Sequence, residues 1–172
     1  MKAKHIWVWI SRWNHCRGFG IQSPADYAFV RNVVNEHWPY YAYSWLGSGD
    51  SWLTRKLGLL YFRLANWRQP SSIIDGVGGR CYLQAGCQRA LITQQACGGV
   101  EMALVPVESD WRPLFADCTN DSLVVIEGIC RDWSAWRSIV ADDRVRVSFD
   151  LYYCGIVMFD KKRYKQNYII NF

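Results

Sequence analysis

The segment Ser72-Ile73-Ile74-Asp75-Gly76-Val77-Gly78-Gly79, followed by the helix-like Arg80-Cys81-Tyr82-Leu83, constrains this chain more than any other. A β-branched run that ends in an acid and clustered glycines, then enters a helix, is the sequence form of a βα turn. The apolar run makes a buried strand, the glycines let backbone approach a ligand, and the helix start offers free N–H groups. Turns of this kind hold phosphates or nucleosides. Here the glycines stand at 76, 78 and 79, not in the G-x-G-x-x-G spacing. The turn raises the question of a nucleotide-type cofactor without answering it.

The same alternation continues along the chain after the turn. Short apolar runs at 72–76, 101–107, 122–127, 145–151, 155–160 and 167–171 read as strands, and 80–96, 111–118 and 133–141 read as helices. Trp133, Trp136, Ile139 and Val140 share one side of the last helix, which suits packing on a sheet. Strands alternating with helices predict a mostly parallel α/β sheet. The last strands have no helix between them, so the far edge is expected to be antiparallel.

Residues 1–70 differ in texture and read as an aromatic-rich helical segment ahead of an α/β domain spanning 71–172. Ser23-Pro24-Ala25-Asp26 starts a helix: Ser caps, Pro takes the first helical position and Asp faces the positive helix end. Tyr27, Val30, Val33 and Val34 then form an apolar face up to about Glu36. A second helix is expected from about Ser51 to Asn66, with Leu53, Leu57, Leu60 and Leu64 on one stripe. Gly47-Ser48-Gly49 separates the two helices, and Arg68-Gln69-Pro70 closes the helical part. Seven of the ten tryptophans (7, 9, 13, 38, 45, 52 and 67) fall in this segment. Core packing is the expected role for them, with a partner or membrane surface as the alternative.

Bulk properties exclude several classes. The 172 residues are 51% hydrophobic and 20% charged, which is a globular composition. The formal charge of +5 carries one basic run, Lys161-Lys162-Arg163-Tyr164-Lys165. It reads as a solvated turn between strands, and no nucleic-acid partner is expected without a basic stripe. Seven cysteines (16, 81, 87, 97, 118, 130 and 154) never form C-x-x-C, and the three histidines (5, 15 and 37) lie upstream of most of them. No metal is therefore expected, and the thiols read as reduced and mostly buried in a cytoplasmic protein. The apolar run at the start is too short for a signal peptide, and no run is long enough to span a membrane.

Several segments together resemble the bacterial class I S-adenosylmethionine-dependent methyltransferases that begin with a Gly-[Ile/Val]-His-Ser-Pro helix start. They are Gly20-Ile21-Gln22-Ser23-Pro24 near the start, and Val145–Leu151, Gly155–Phe159 and Asn167–Phe172 near the end. Ser122–Ile129, followed by Trp133 and Trp136, resembles the family's fifth strand and the helix after it. The C-terminal resemblance covers about fifty residues. The chain departs from the pattern at three points: Gln22 replaces the family's His, Glu127-Gly128 replaces an Asp pair or Asp-His, and the cofactor turn's glycines are displaced.

The resemblance implies a Rossmann-like sheet in reduced form. Only 101–107 lies between the first strand and the one resembling the fifth, so the family's second and third strands are expected to be missing. The strand 101–107 is taken as the family's fourth, because Asp110–Phe115 leads directly into the next strand; were it the second, Glu108 would be the ribose-holding acid. Strand 72–76 would then be a bare sheet edge, needing cover from the N-terminal helices or from a homodimer partner at that edge or at the aromatic helices.

The resemblance further implies S-adenosylmethionine as cofactor, held by Asp75, Gly76, Gly78 and Gly79, with Glu127 facing it from the fifth strand. The plain alternatives are a tight turn without ligand for the glycines, and acids capping the next helix for Asp75 and Glu127. Two functions are consistent with this: a divergent methyltransferase with reduced or lost catalysis, or a non-catalytic interaction or scaffold descendant of that fold. No catalytic residue is identified, and His15 beside Cys16 is sequence adjacency only. G-x-S-x-G and P-loop motifs are absent.

Overall fold

Successive strand residues point to opposite faces, and both faces of this sheet are buried. Ile73, Met102, Leu104, Leu123, Val125 and Ile156 fill one core, whereas Ile74, Ala103, Val124, Ile126 and Val157 fill the other. A sheet covered on both sides needs apolar residues at every position, which explains why the strands read as continuous apolar runs. The computed structural model describes residues 3–16, 18–95 and 98–172. It is an α/β fold with a seven-stranded mixed sheet.

The strands are β1 (Ser72–Asp75), β2 (Leu91–Thr93), β3 (Val100–Pro106), β4 (Cys118–Glu127), β5 (Val147–Asp150), β6 (Cys154–Met158) and β7 (Gln166–Ile169). Their spatial order is β2-β1-β3-β4-β6-β5-β7. The helices are α1 (Ala3–Ser11), α2 (Pro24–Phe29), α3 (Trp52–Arg68), α4 (Arg80–Gly86), α5 (Trp111–Ala116) and α6 (Trp133–Ala141). Residues of α2, α3 and α4 pack on the first face, and residues of α5 and α6 pack on the second.

Two expectations about the sheet are corrected. The helix expected over 80–96, whose last residue lies outside the described residues, stops at Gly86. Leu91–Thr93 instead forms β2, parallel to β1. β1 is therefore an internal strand and not a sheet edge, so any pairing of two copies at a sheet margin on this side would involve β2. The far edge is antiparallel only through β6, and β7 runs parallel to β5. The geometry of the turn explains this. β6 ends at Met158 opposite Val147, the first residue of β5, and residues 159–165 pass that end before Gln166 pairs with the same Val147. Strands entered from the same end must run parallel. The basic run 161–165 lies in this turn, as the sequence predicts.

The helix started by Ser23 forms as expected, with the Ser23 hydroxyl accepting from the Asp26 N–H and Pro24 at the first position. After Phe29 it widens into a π-turn over Val30–Val34, where the Asn35 N–H reaches the Val30 carbonyl at 2.8 Å. Val30, Val33 and Val34 are buried, but Tyr27 is exposed. Asp26 is itself buried, in an ion pair with Arg163 and accepting from the Tyr168 hydroxyl at 3.1 Å.

α3 is buried on more than one stripe, because the sheet lies on one side and α4 on another. Leu57, Leu60 and Leu64 face inward, and so do Gly58, Tyr61, Phe62, Arg63 and Ala65. Arg63 is buried by partnership, donating to the Val33 and Val34 carbonyls at 2.7 and 2.9 Å. The core-packing role expected for the N-terminal tryptophans is corrected: Trp7, Trp9, Trp13, Trp38, Trp45, Trp52 and Trp67 are 43–71% exposed. Phe29, the valines of the π-turn, Leu46 and α3 already fill the space against the sheet.

Gly86 sets the spacing of α3 and α4. A Cβ there would lie 2.3 Å from the Phe62 carbonyl oxygen, a backbone atom that can move only with its helix. Gly86→Ala should therefore destabilise the fold by about 2 kcal/mol. Urea unfolding would show a lower midpoint at unchanged slope; an unchanged midpoint would mean that the two helices separate freely.

Of the described cysteines, Cys87 and Cys154 are buried, Cys16, Cys118 and Cys130 half-buried and Cys81 exposed. "Mostly buried" thus fits only in part, and Cys97 lies outside the described residues. No helix among the described residues is long and apolar enough to cross a membrane.

Candidate functional site

The carboxyl ends of β1, β2, β3 and β4 share one side of the sheet, because these strands are parallel. From β1 the chain passes through α4 to β2 on one flank, then returns to β3 on the other. Ligands of open α/β sheets bind at such a reversal. A cleft of about 660 Å³ opens there, lined by Asp75, Gly76, Gly78, Arg80, Ile92, Thr93 and Gln94.

Asp75 builds the turn that forms one wall. Its Oδ1 accepts from the N–H groups of Val77, Gly78 and Gly79 at 3.2, 2.9 and 3.0 Å. Three amides converging on one carboxylate oxygen fix the turn, and the acid itself is buried. The same bonds occupy the N–H groups that a phosphate would otherwise take. Gly78 has φ +81°, a left-handed conformation that favours glycine, and a Cβ there would meet no atom within 4 Å. Its outer side is open to a ligand. Gly76 is pressed against β3, donating to the Leu104 carbonyl at 2.8 Å.

The five residues assigned to the cofactor from sequence fall into two groups. Asp75, Gly76 and Gly78 line the cleft. Gly79 is buried, and a Cβ on it would stand 3.0 Å from the Tyr61 ring. Glu127, at the end of β4, is outside the cleft lining and accepts from the Tyr61 hydroxyl at 2.5 Å. Burial, then Cys154 and Glu127, push the Tyr61 phenol well above its usual pKa. It stays protonated and holds the Glu127 carboxylate. Glu108, at the end of β3, pairs at the surface with Arg131 at 3.0 Å and takes no part in the cleft.

Arg80, Ile92, Thr93 and Gln94 are the cleft residues that sequence reasoning does not find. Arg80 comes directly after the glycine turn, which was a usable signal. Thr93 and Gln94 were hidden inside the segment read as helix. Arg80 is exposed and lacks a hydrogen bond or ion pair among the described residues, so its guanidinium is available to an anionic group. Where a ribose-holding acid would end β2, Gln94 offers an amide, which can both donate to and accept from hydroxyls. Among the described residues no three His, Cys, Asp or Glu side chains gather to hold a metal ion.

The cleft can hold a ligand with hydroxyls and a negative group. Among its lining residues no side chain is placed as a general base, because Asp75 is committed to its own turn. Comparison of the chain with models of protein families, with curated proteins and with solved structures finds no match to any of them.

Proposed function

We infer that this chain is a divergent methyltransferase-like protein that binds a nucleoside ligand of the S-adenosylmethionine class in the cleft at the end of β1, with methyl transfer reduced or lost. The observation that carries this reading is the open cleft above a carboxylate-tied glycine turn, with Thr93 and Gln94 in its lining and Arg80 without a hydrogen-bond or ion-pair partner among the described residues. The strand order supports it. A glycine turn after β1, β3 and β4 following on one flank, and the antiparallel β6 inserted before β5 fit a Rossmann-like methyltransferase sheet in which β2 is a three-residue remnant.

The chain's residues fit such a ligand in part. Gly76 and Gly78 allow close approach, Gln94 and Thr93 suit the ribose hydroxyls, and Arg80 suits the carboxylate of the methionine portion. When bound, that cofactor supplies an electrophilic sulfonium methyl. Glu127 is oriented by the Tyr61 hydroxyl, which donates to its Oε2. With no lining side chain placed as a general base, catalysis by this chain would rest on orientation.

A calorimetric titration with S-adenosylhomocysteine tests the reading. Binding in the micromolar range, about −8 kcal/mol, is expected. Absence of heat at two temperatures, together with no thermal shift at high ligand, would overturn it.

A second reading, a non-catalytic interaction protein, is favoured by a separate observation: the seven N-terminal indoles left exposed. Exposed aromatic clusters mark interaction surfaces, and a second copy of the chain docking through these helices is the simplest partner. A concentration-dependent dimer lost on replacing Trp7 and Trp9 by serine would support it.

A further inference from the structure

Lys56, in the first half of α3, points its amine into a group of aromatic rings. Its Nζ lies 4.5 Å from the Phe172 ring centroid and 5.2 Å from that of Trp52. No carboxylate pairs with it and no hydrogen bond holds it among the described residues. Around it, α1, α3, the chain before β6 and Phe172 enclose a pocket of about 330 Å³, lined among others by His5, Trp9, Trp52, Lys56 and Tyr153.

The rest of the lining is ordered. His5 Nδ1 and the Tyr153 hydroxyl share a 2.6 Å hydrogen bond, and the His5 ring lies 4.4 Å from the Trp52 ring. Burial keeps the Tyr153 phenol protonated. The His5–Tyr153 bond fixes the imidazole at the pocket wall, with the donor set by its tautomer. Burial, and then the charge of Arg63 on the same helix, lower the Lys56 pKa, whereas the Cys154 thiol opposes this weakly.

An ammonium group partly withdrawn from water among rings, with no ion-pair partner among the described residues, is a cost that a ligand can relieve. A carboxylate would supply the charge, and a flat ring attached to it would stack between the indoles and Phe172. We propose that this pocket between α1 and α3 is a binding site for a small aromatic carboxylate, with Lys56 as its anion-binding group. The site is separate from the cleft at β1 and does not depend on what that cleft binds.

Calorimetry with benzoate and benzamide as probes tests it, on protein already saturated with S-adenosylhomocysteine and on protein without it. The rings are alike and only benzoate carries the charge. Benzoate should bind with a dissociation constant below about 1 mM, benzamide at least about tenfold more weakly, and S-adenosylhomocysteine should change neither. Lys56→Met, which keeps the apolar stem, should abolish the preference. Equal binding of the two probes, no binding of benzoate, or a preference that survives Lys56→Met would overturn the proposal. A measurement on the unaltered chain stands even if that variant does not fold. Saturating benzoate should protect Lys56 from reductive methylation by formaldehyde, read by peptide mass, and methylation at an undiminished rate would contradict the site.

Discussion

Asp26→Ala should lower the stability of the fold by about 3 kcal/mol, although the residue lies at the start of a short helix far from the cleft. Asp26 is 2% exposed, and both carboxylate oxygens are used, one by Arg163 and one by the Tyr168 hydroxyl. Breaking a buried pair by removing one member leaves the other charge stranded, and that costs about 3–5 kcal/mol. Arg163 keeps a quarter of its side chain in contact with solvent, which places the expectation at the low end. Urea unfolding of the single variants and of Asp26→Ala with Arg163→Met measures the coupling. The double variant should recover part of the loss. A single-variant loss below about 1 kcal/mol would mean that Arg163 turns freely to water.

Asp75→Ala should remove ligand binding and stability together. The side chain is the common acceptor for three amides of the turn, and those amides have no other acceptor among the described residues. Loss of charge-assisted bonds to a buried carboxylate costs about 2–3 kcal/mol in stability. The turn that shapes the cleft would no longer hold Gly78 in its left-handed conformation. Affinity for S-adenosylhomocysteine should fall at least about tenfold, equivalent to about 1.4 kcal/mol. Asp75→Asn keeps one acceptor oxygen and should fall between. A variant that loses stability but keeps its affinity would show that the turn is purely structural.

The parts of the fold that were legible from sequence are those with an unbroken local signal. Helix 133–141 appears with the expected bounds because its capping Asp132 and its apolar side agree. Trp136 and Ile139 are buried, Trp136 over Gly155, where a Cβ would clash with the indole. β1 and the glycine turn appear for the same reason. β2 was unreadable because three residues carry no period, and because the six residues between Thr93 and Val100 are fewer than a parallel crossover normally needs. The direction of β7 depends on where a turn passes β5, which no local pattern encodes.

Long-range partnership accounts for what else no local pattern encodes. Asp26 reads as a helix-start acid, and Arg163 as part of a solvated basic turn. Only the fold brings together residues 137 positions apart. Glu127 reads as a cofactor acid at a strand end, and only the fold brings the Tyr61 hydroxyl of α3 to donate to it. The N-terminal tryptophans read as core on composition, whereas Phe29, Val30, Val33, Val34, Leu46 and α3 fill that face of the sheet.

Amide chemical-shift mapping of isotopically labelled protein during titration with S-adenosylhomocysteine is the most direct test of ligand binding at β1. Shifts should concentrate at Gly76, Gly78, Arg80, Thr93 and Gln94, and the amides of Glu127 and Gly128 should move little. An unperturbed spectrum, or shifts centred on Glu127 and Tyr61 with the β1 turn silent, would contradict binding in this cleft.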